Sequence, residues 1–558
     1  MKGRDLLVPR MLAFVLGLSL AGPALAGAQS FPRPKPIPPR TGPNSVAGTI
    51  NSSSRSSASY PWRPLTHQPN FVCEGQPNGA GNPLLLTDGT VLVQDAGCQD
   101  WWKLTPDSSG SYVNGTWSQM ASLPSNYSPL YHSSAVLPDG RVIIMGGEYN
   151  FFNPVWTNLG AIYDPVANTW TPVAAPSFFT GPNCCGINHP TIGDSQGVVL
   201  ANGTFMQANC CTEQQALLNA SDLTWTSTGT GKFDPNDEEG WTLLPNGQVL
   251  TVDAYVPLVG FTYDSNGTNS ELYNPATGTW QSAGSTVVQL FDSAAQCGGL
   301  PNATLEVGPM VLRPDGTVFA TGANTCGLGF PGHTAIYSTH DGTWTAGPDF
   351  PTLKYHGRQY SLNIADGPAS LEINGKVLMM ASPFYGAPPS FFLEWDGTNL
   401  TPVPGTPNSP TDGSYYGNML VLPTGQIMLT DFSNDIEIYT SAGTYNLDWA
   451  PTIKHAPATV RPGSSYVVSG YLFNGMSQGA AYGDDAQAAT NYPLVRITNL
   501  ATGHVFYGRT HDHSSMAVAY GGLVSTHFDV PANQETGPSQ LVVVANGIPS
   551  QPVAVNVQ

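Results

Sequence analysis

Residues 131 to 144 read Tyr-His-Ser-Ser-Ala-Val-Leu-Pro-Asp-Gly-Arg-Val-Ile-Ile. Two apolar runs meet at Asp139-Gly140, and an Asp-Gly or Asn-Gly dipeptide between such runs is the strongest local signal for a β-hairpin. The same arrangement recurs along the chain. It stands at Leu86-Thr-Asp-Gly-Thr-Val-Leu-Val, Leu200-Ala-Asn-Gly-Thr-Phe, Leu244-Pro-Asn-Gly-Gln-Val-Leu, Arg313-Pro-Asp-Gly-Thr-Val-Phe, Glu372-Ile-Asn-Gly-Lys-Val-Leu and Leu422-Pro-Thr-Gly-Gln-Ile-Met, which makes seven hairpins. Most are followed by a second signature ending in Trp, as in Ala161-Ile-Tyr-Asp-Pro-Val-Ala-Asn-Thr-Trp170, Glu271-Leu-Tyr-Asn-Pro-Ala-Thr-Gly-Thr-Trp280 and Ala335-Ile-Tyr-Ser-Thr-His-Asp-Gly-Thr-Trp344. Each unit reads as a kelch-like sheet of four strands. Because one such sheet cannot bury both faces or its edges alone, seven of them predict a closed ring, a seven-bladed β-propeller.

The composition agrees with an all-β chain. There are 61 glycines and 50 prolines, 41% of residues are hydrophobic and only 10% are charged, a mixture that suits short strands joined by many turns. The propeller is expected over residues 60–449, with Tyr60-Pro-Trp62-Arg-Pro-Leu completing the last blade from the N-terminal side. From Ala450 the pattern changes to alternating strands such as Ser465-Tyr-Val-Val-Ser-Gly-Tyr and Leu541-Val-Val-Val-Ala-Asn-Gly-Ile-Pro-Ser, so an Ig-like β-sandwich is expected over 450–558.

The N-terminus reads as a targeting segment. Residues 1–26 place a basic start before the apolar run Met11–Leu20 and end in Ala24-Leu-Ala26, the pattern of a signal peptide, and Pro- and Ser-rich residues 27–59 read as a linker. A secreted chain, extracellular or periplasmic, is therefore expected, with no membrane span and as a monomer. Cleavage would remove three cations and one anion and move the formal charge from −19 to −21. That charge disfavours nucleic acid as a partner.

Eight cysteines remain in an exported chain. Cys73, Cys184/Cys185 and Cys297 each precede the first strand of a hairpin, and Cys98, Cys210/Cys211 and Cys326 each follow the second. Antiparallel pairing lays those two ends side by side, so disulfides Cys73–Cys98 and Cys297–Cys326 are expected, with two more between the 184/185 and 210/211 pairs.

A seven-bladed kelch propeller with a C-terminal Ig-like domain resembles the galactose oxidase and glyoxal oxidase family of copper radical enzymes. The most specific local match is Tyr131-His-Ser-Ser-Ala-Val-Leu-Pro-Asp-Gly-Arg-Val followed by Gly146-Gly-Glu-Tyr149. The resemblance implies Tyr131 as redox tyrosine with Tyr149 beside it, and a Cu(II) ion held by a second Tyr and two His. The family's blade-seven Tyr-His pair corresponds here to Tyr415-Tyr416, so Tyr415 or Tyr416 would be a ligand and one His is replaced. The family's thioether cysteine corresponds to Ala80. The last ligand would come from a C-terminal loop reaching into the axis, for which Tyr507-Gly-Arg-Thr-His511-Asp-His513-Ser offers either His511 or His513; the alternative is a surface loop with two solvated histidines.

The residues about eight places before each hairpin turn should line one mouth of the axis. In the remaining blades that register gives Asp194, Glu238, Asp366 and, one place earlier, Glu306, with Trp241 close to Glu238. Four converging carboxylates would raise one another's pKa unless a cation or hydrogen-bond donors compensated. Oxygen ligands alone favour calcium or magnesium, and a joining histidine favours a transition metal. Alternatively each carboxylate caps a turn, a common use of Asp beside Gly. No Ser nucleophile elbow, phosphate loop or zinc-helix motif is present. Two functions follow: a propeller binding a glycan or similar polar ligand at an acidic axial pocket with Tyr and Trp for stacking, or a divergent copper oxidase acting with oxygen on an alcohol or aldehyde.

Overall fold

The computed structural model describes residues 60–180, 191–254, 267–291, 306–323, 331–383, 386–485 and 487–558, and the backbone of two short strands, Pro257–Leu258 and Thr262–Tyr263. Residues 1–59, where the targeting segment and linker are expected, lie outside these, as do Cys184, Cys185, Cys297 and Cys326.

The described chain is all-β. It contains many small antiparallel sheets, no α-helix and two short 3-10 turns, Ser414–Tyr416 and Leu447–Trp449. Every quoted hairpin closes in one way. The glycines at 89, 140, 203, 247, 316, 375 and 425 all have φ between 76° and 89°, a region open to residues without a Cβ. The preceding Asp or Asn braces the turn through its side chain: Asp88, Asp139, Asn202, Asn246, Asp315 and Asn374 each accept the N–H two residues on, at 2.9 to 3.0 Å.

Each hairpin supplies the two inner strands of a sheet. The first runs through Ala80–Leu85, Val91–Asp95, Trp101–Thr105 and Thr116–Gln119; the second through Ser133–Val136, Val142–Met145, Gly160–Asp164 and Thr169–Pro172. Four more follow the same order, beginning at Gly197–Val199, Thr242–Leu243, Met310–Leu312 and Ala369–Leu371. In the last sheet Trp62–Pro64 pairs with Glu437–Tyr439, so the N-terminal end of the described chain supplies an outer strand for Asn418–Val421 and Ile427–Thr430. Except between the third and fourth sheets, innermost strands neighbour one another in succession, and Asn418–Val421 packs beside Ala80–Leu85, which brings the last sheet back to the first. The step from the third sheet to the fourth is bridged by the Gln196 amide, which accepts from Trp241 Nε1 at 2.8 Å and donates to Asn236 O and Glu239 O.

The recurring Trp joins one sheet to the sheet before it. Trp170 Nε1 donates to Ala121 O at 2.9 Å, Trp225 Nε1 to Ala174 O at 2.8 Å, Trp344 Nε1 to Ser270 Oγ at 2.8 Å and Trp62 Nε1 to Pro404 O at 2.7 Å. Each such bond contributes about 1 kcal/mol, and the indole faces fill the wedge between sheets.

Beyond Ala450, strands from Thr452–His455 to Val553–Val557 curl around a core of Val468, Phe473, Val495, Ile497, Phe528 and Val543. This unit docks on the turn end of the ring: Thr510 N–H donates to Thr87 O at 3.1 Å, Arg509 Nη2 to Asp139 O at 3.0 Å and Met516 N–H to Ala201 O at 2.9 Å. No helix among the described residues is long and apolar enough to cross a membrane.

Candidate functional site

The end of the ring opposite the turns is built from residues that enter the innermost strands. Its character is divided. Asp194, Glu238, Glu306 and Asp366 come from four consecutive sheets, and all are at most 7% exposed. Oxygens of Glu238, Glu306 and Asp366 lie within 4.8 Å of one another, and so do those of Asp194, Glu238 and Asp484. Glu238 is shared by both groups. A further group joins Asp194 to Asp237 and Cys210.

The other half is aromatic. Tyr131 and Tyr149 lie with ring centres 6.1 Å apart, in one apolar cluster with Tyr482, Phe152 and Phe432. Tyr416 lies 6.2 Å from Phe432, and Tyr415 Oη donates to Tyr416 Oη at 3.1 Å. Burial raises the Tyr415 and Tyr416 phenols, so both stay protonated at neutral pH. Three residues that line the two halves, Tyr131, Glu238 and Asp366, hold left-handed backbone with φ of 49°, 58° and 58°. Such conformations cost of order 1 kcal/mol for a residue with a Cβ and are concentrated at functional sites.

A loop from the C-terminal unit passes into the ring, but it is not the 507–513 segment. It is formed by residues 475–485 and 487–492. Leu243 N–H donates to Gln478 Oε1 at 2.7 Å, Ala480–Ala481 adds a fifth strand beside Ala369–Leu371, Ser134 Oγ donates to Gln487 O at 2.9 Å, and Tyr482 Oη donates to Tyr415 O at 2.9 Å. Two glycines let it through: a Cβ on Gly240 would come within 2.3 Å of Gly483 O, and one on Gly483 within 2.4 Å of Asp366 Oδ1. The tip therefore delivers Asp484, at 0% exposure, to the acidic group.

The sequence reading missed Tyr482 and Asp484, for which the available signal was the run Tyr482-Gly-Asp-Asp485 in a domain otherwise read as alternating strands. Three further candidate residues stand away from this mouth, which for the two histidines agrees with the alternative of a loop outside the axis. Trp241 is packed between sheets, 5.7 Å from Trp280, with its N–H taken by Gln196. His513 sits at the turn end, its N–H donating to Pro138 O at 3.1 Å and its ring stacked on Tyr492; burial pushes its pKa down to about 3. His511 lies on the outer face of the C-terminal sheet beside His527. His132 is buried edge-on to Trp101, and burial holds it neutral with a pKa near 3.

These placements test copper against the donors. The metal-competent groups at this mouth consist of carboxylates and Cys210, and the histidine-containing group among the described residues stands elsewhere. Ala80, for which the resemblance implied a thioether cysteine, opens the first strand of the first sheet, and Cys73 is engaged in a disulfide with Cys98, the two Cα atoms 5.9 Å apart. Among the described residues, two imidazoles and a thioether tyrosine are thus not assembled here, and the oxygen donors that are described suit a hard cation. Cys211 is also disulfide-bonded.

A second ionic cluster lies deeper in the fourth sheet. Lys232 Nζ meets Asp234, Glu239 at 2.9 Å, Glu271 at 2.7 Å and Asp253 at 3.8 Å, all buried. Burial alone would lower Lys232, but the four carboxylates hold it well above its usual pKa.

No family model matches this chain, and no curated protein sequence matches it. Among solved structures it is similar to a fungal alcohol oxidase of the AA5 family in complex with copper, at 13% identity and a TM-score of 0.45, covering 89% of this chain and 98% of that one. It is also similar to virginiamycin B lyase from Staphylococcus aureus, at 9% identity and a TM-score of 0.40 over 68% of this chain and 98% of that one. PorZ, a surface component of the type-IX secretion system of Porphyromonas gingivalis, has 11% identity and a TM-score of 0.39 over 84% of this chain and 58% of that one. At these values none of the likenesses assigns chemistry to this chain.

Proposed function

We propose that this chain is an exported, monomeric, seven-bladed β-propeller with an Ig-like C-terminal domain, and that its axial mouth holds a hard divalent cation of the calcium class. The cation and the neighbouring tyrosines then bind a hydroxyl-rich ligand such as a glycan. The observation that carries this reading is the pair of carboxylate groups sharing Glu238, with Asp194 and Asp484 on one side and Glu306 and Asp366 on the other. Carboxylate oxygens so close and so deeply buried repel one another, and a cation with six to eight oxygen ligands at about 2.4 Å uses such a set directly. Tyr131, Tyr149, Tyr415 and Tyr416 supply aromatic faces and hydroxyls for the organic ligand. The Cys73–Cys98 disulfide fits an oxidising compartment.

Calorimetric titration of the full chain with Ca2+, followed by a glycan panel with and without Ca2+, tests the proposal. Saturable Ca2+ binding that is lost in Asp484→Asn, with glycan retention only in Ca2+, is expected. Absence of Ca2+ binding, or oxygen consumption by copper-loaded protein on galactose, glyoxal or simple alcohols, would overturn it in favour of the oxidase.

A further inference from the structure

His511 ends the strand Val505–His511 and pairs directly across from His527 in Val524–Asp529. Directly opposed residues of an antiparallel pair project from the same face, and here the two imidazoles stack with centres 5.4 Å apart and planes 18° apart. Asp512 follows in the left-handed region, φ 53°. Its Oδ2 lies 2.8 Å from His511 Nδ1 and 3.9 Å from His527 Nδ1. One donor atom from each of the three residues falls within 4.8 Å of the others. Three N and O donors around one tetrahedral Zn2+ stand about 3.4 Å apart, so enclosing an ion requires the donors to close up and one imidazole to turn out of the stack until both ring planes meet the ion.

The surroundings of His511 are those of a metal-bound imidazole. Its other nitrogen, Nε2, lies 3.3 Å from Asp529 Oδ1, and Asp529 is in turn held by Arg509 Nη1 at 3.0 Å. A ligating histidine commonly gives its second N–H to a carboxylate, which fixes the tautomer and leaves the first nitrogen's lone pair for the ion. Access is also provided: the side chains of Asp512 and His527 are 61% and 47% exposed.

We infer that His511, Asp512 and His527 form a metal site for a borderline divalent transition ion of the Zn2+ class, with Nδ1 of both histidines and Oδ2 of Asp512 as ligands. Two imidazoles and one carboxylate leave a fourth position for water or a small ligand. Asp512 also borders an open groove of 740 Å3 beside the Leu137–Arg141 turn, where such a ligand has room. The site stands on the C-terminal unit and is independent of the axial carboxylates. Asp529 acts as a positioning residue.

Titration of the full chain with Zn2+ in saturating Ca2+, read by calorimetry and native mass spectrometry, tests this. One Zn2+ per chain is expected, with affinity falling at least a hundredfold in His527→Ala and about tenfold in Asp529→Asn. With Cu2+ as a paramagnetic substitute, electron spin resonance should report two coordinated nitrogens in the wild type and one in His527→Ala. Equal Zn2+ affinity of wild type and His527→Ala, with both melting at the same temperature, would overturn the site, as would no Zn2+ uptake at micromolar concentration.

Discussion

Glu238→Gln changes the charge of the one residue common to both axial groups while preserving its size. Oxygens of Asp194, Asp484, Glu306 and Asp366 all lie within 4.8 Å of a Glu238 oxygen. At that distance two unit charges in an effective dielectric near 20 repel by about 3 kcal/mol. Without cation, the wild type keeps the full set of these charges in one group. Removing one charge should therefore raise its melting temperature in chelator. With Ca2+ bound the sign reverses, because a ligand is lost: forfeiting on the order of 3 kcal/mol weakens Kd roughly a hundredfold and removes most of the stabilisation by ligand. Melting curves of wild type and variant, each in EDTA and in excess Ca2+, give the four numbers required. The variant should melt higher in EDTA and lower in Ca2+. A variant that melts lower in both, or an equal response of both proteins to Ca2+, would refute the reasoning.

Other positions give independent checks. Lys232→Met leaves four buried carboxylates without their cation and should cost about 3–5 kcal/mol at pH 7, with part of the loss recovered in acid as Glu239 and Asp253, already raised by burial, take up protons; urea denaturation at two pH values reads this. Replacing both Cys73 and Cys98 by Ala opens a loop with a sequence separation of 25 residues and should cost about 3.5 kcal/mol, a loss that dithiothreitol should reproduce in part in the wild type. Burial, then Glu394, raises Glu372 from 4.5 to about 7. A carboxyl raised in the folded state costs nothing below its unfolded value, and the penalty grows as pH rises from 4.5 to 7. Glu372→Gln should therefore stabilise the protein by about 3 kcal/mol at pH 8 and leave it unchanged at pH 4; a stability gain that does not depend on pH would count against the assignment.

The sheets were legible because their signals are local. Asp139-Gly140 and its counterparts fix each turn by chemistry within four residues, and strand alternation then sets the register that carries Asp194, Glu238, Glu306 and Asp366 to one end. The aromatic half followed from the same register through Tyr131 and Tyr416. The contribution of the C-terminal unit was not legible in this way. Which loop enters the ring depends on the facing glycines Gly240 and Gly483, which are remote in sequence, and on room beside Ala369–Leu371 for Ala480–Ala481. Two histidines in a loop gave a chemical cue toward the 507–513 segment, yet Thr510 and His513 are occupied in docking that segment against the turns. Trp241 stands away from the axis for a similar reason: its ring packs against Trp280 and its N–H is given to Gln196 of the neighbouring sheet.

The central claim is a cation among the axial carboxylates. Anomalous difference maps from crystals grown with Mn2+ or Tb3+ in place of Ca2+ test it directly. A single strong axial peak is predicted, bounded by Glu238 and by oxygens of Asp194, Asp484, Glu306 or Asp366 at about 2.4 Å. Crystals whose axial mouth shows no anomalous peak, while those five side chains are well ordered around water alone, would contradict it.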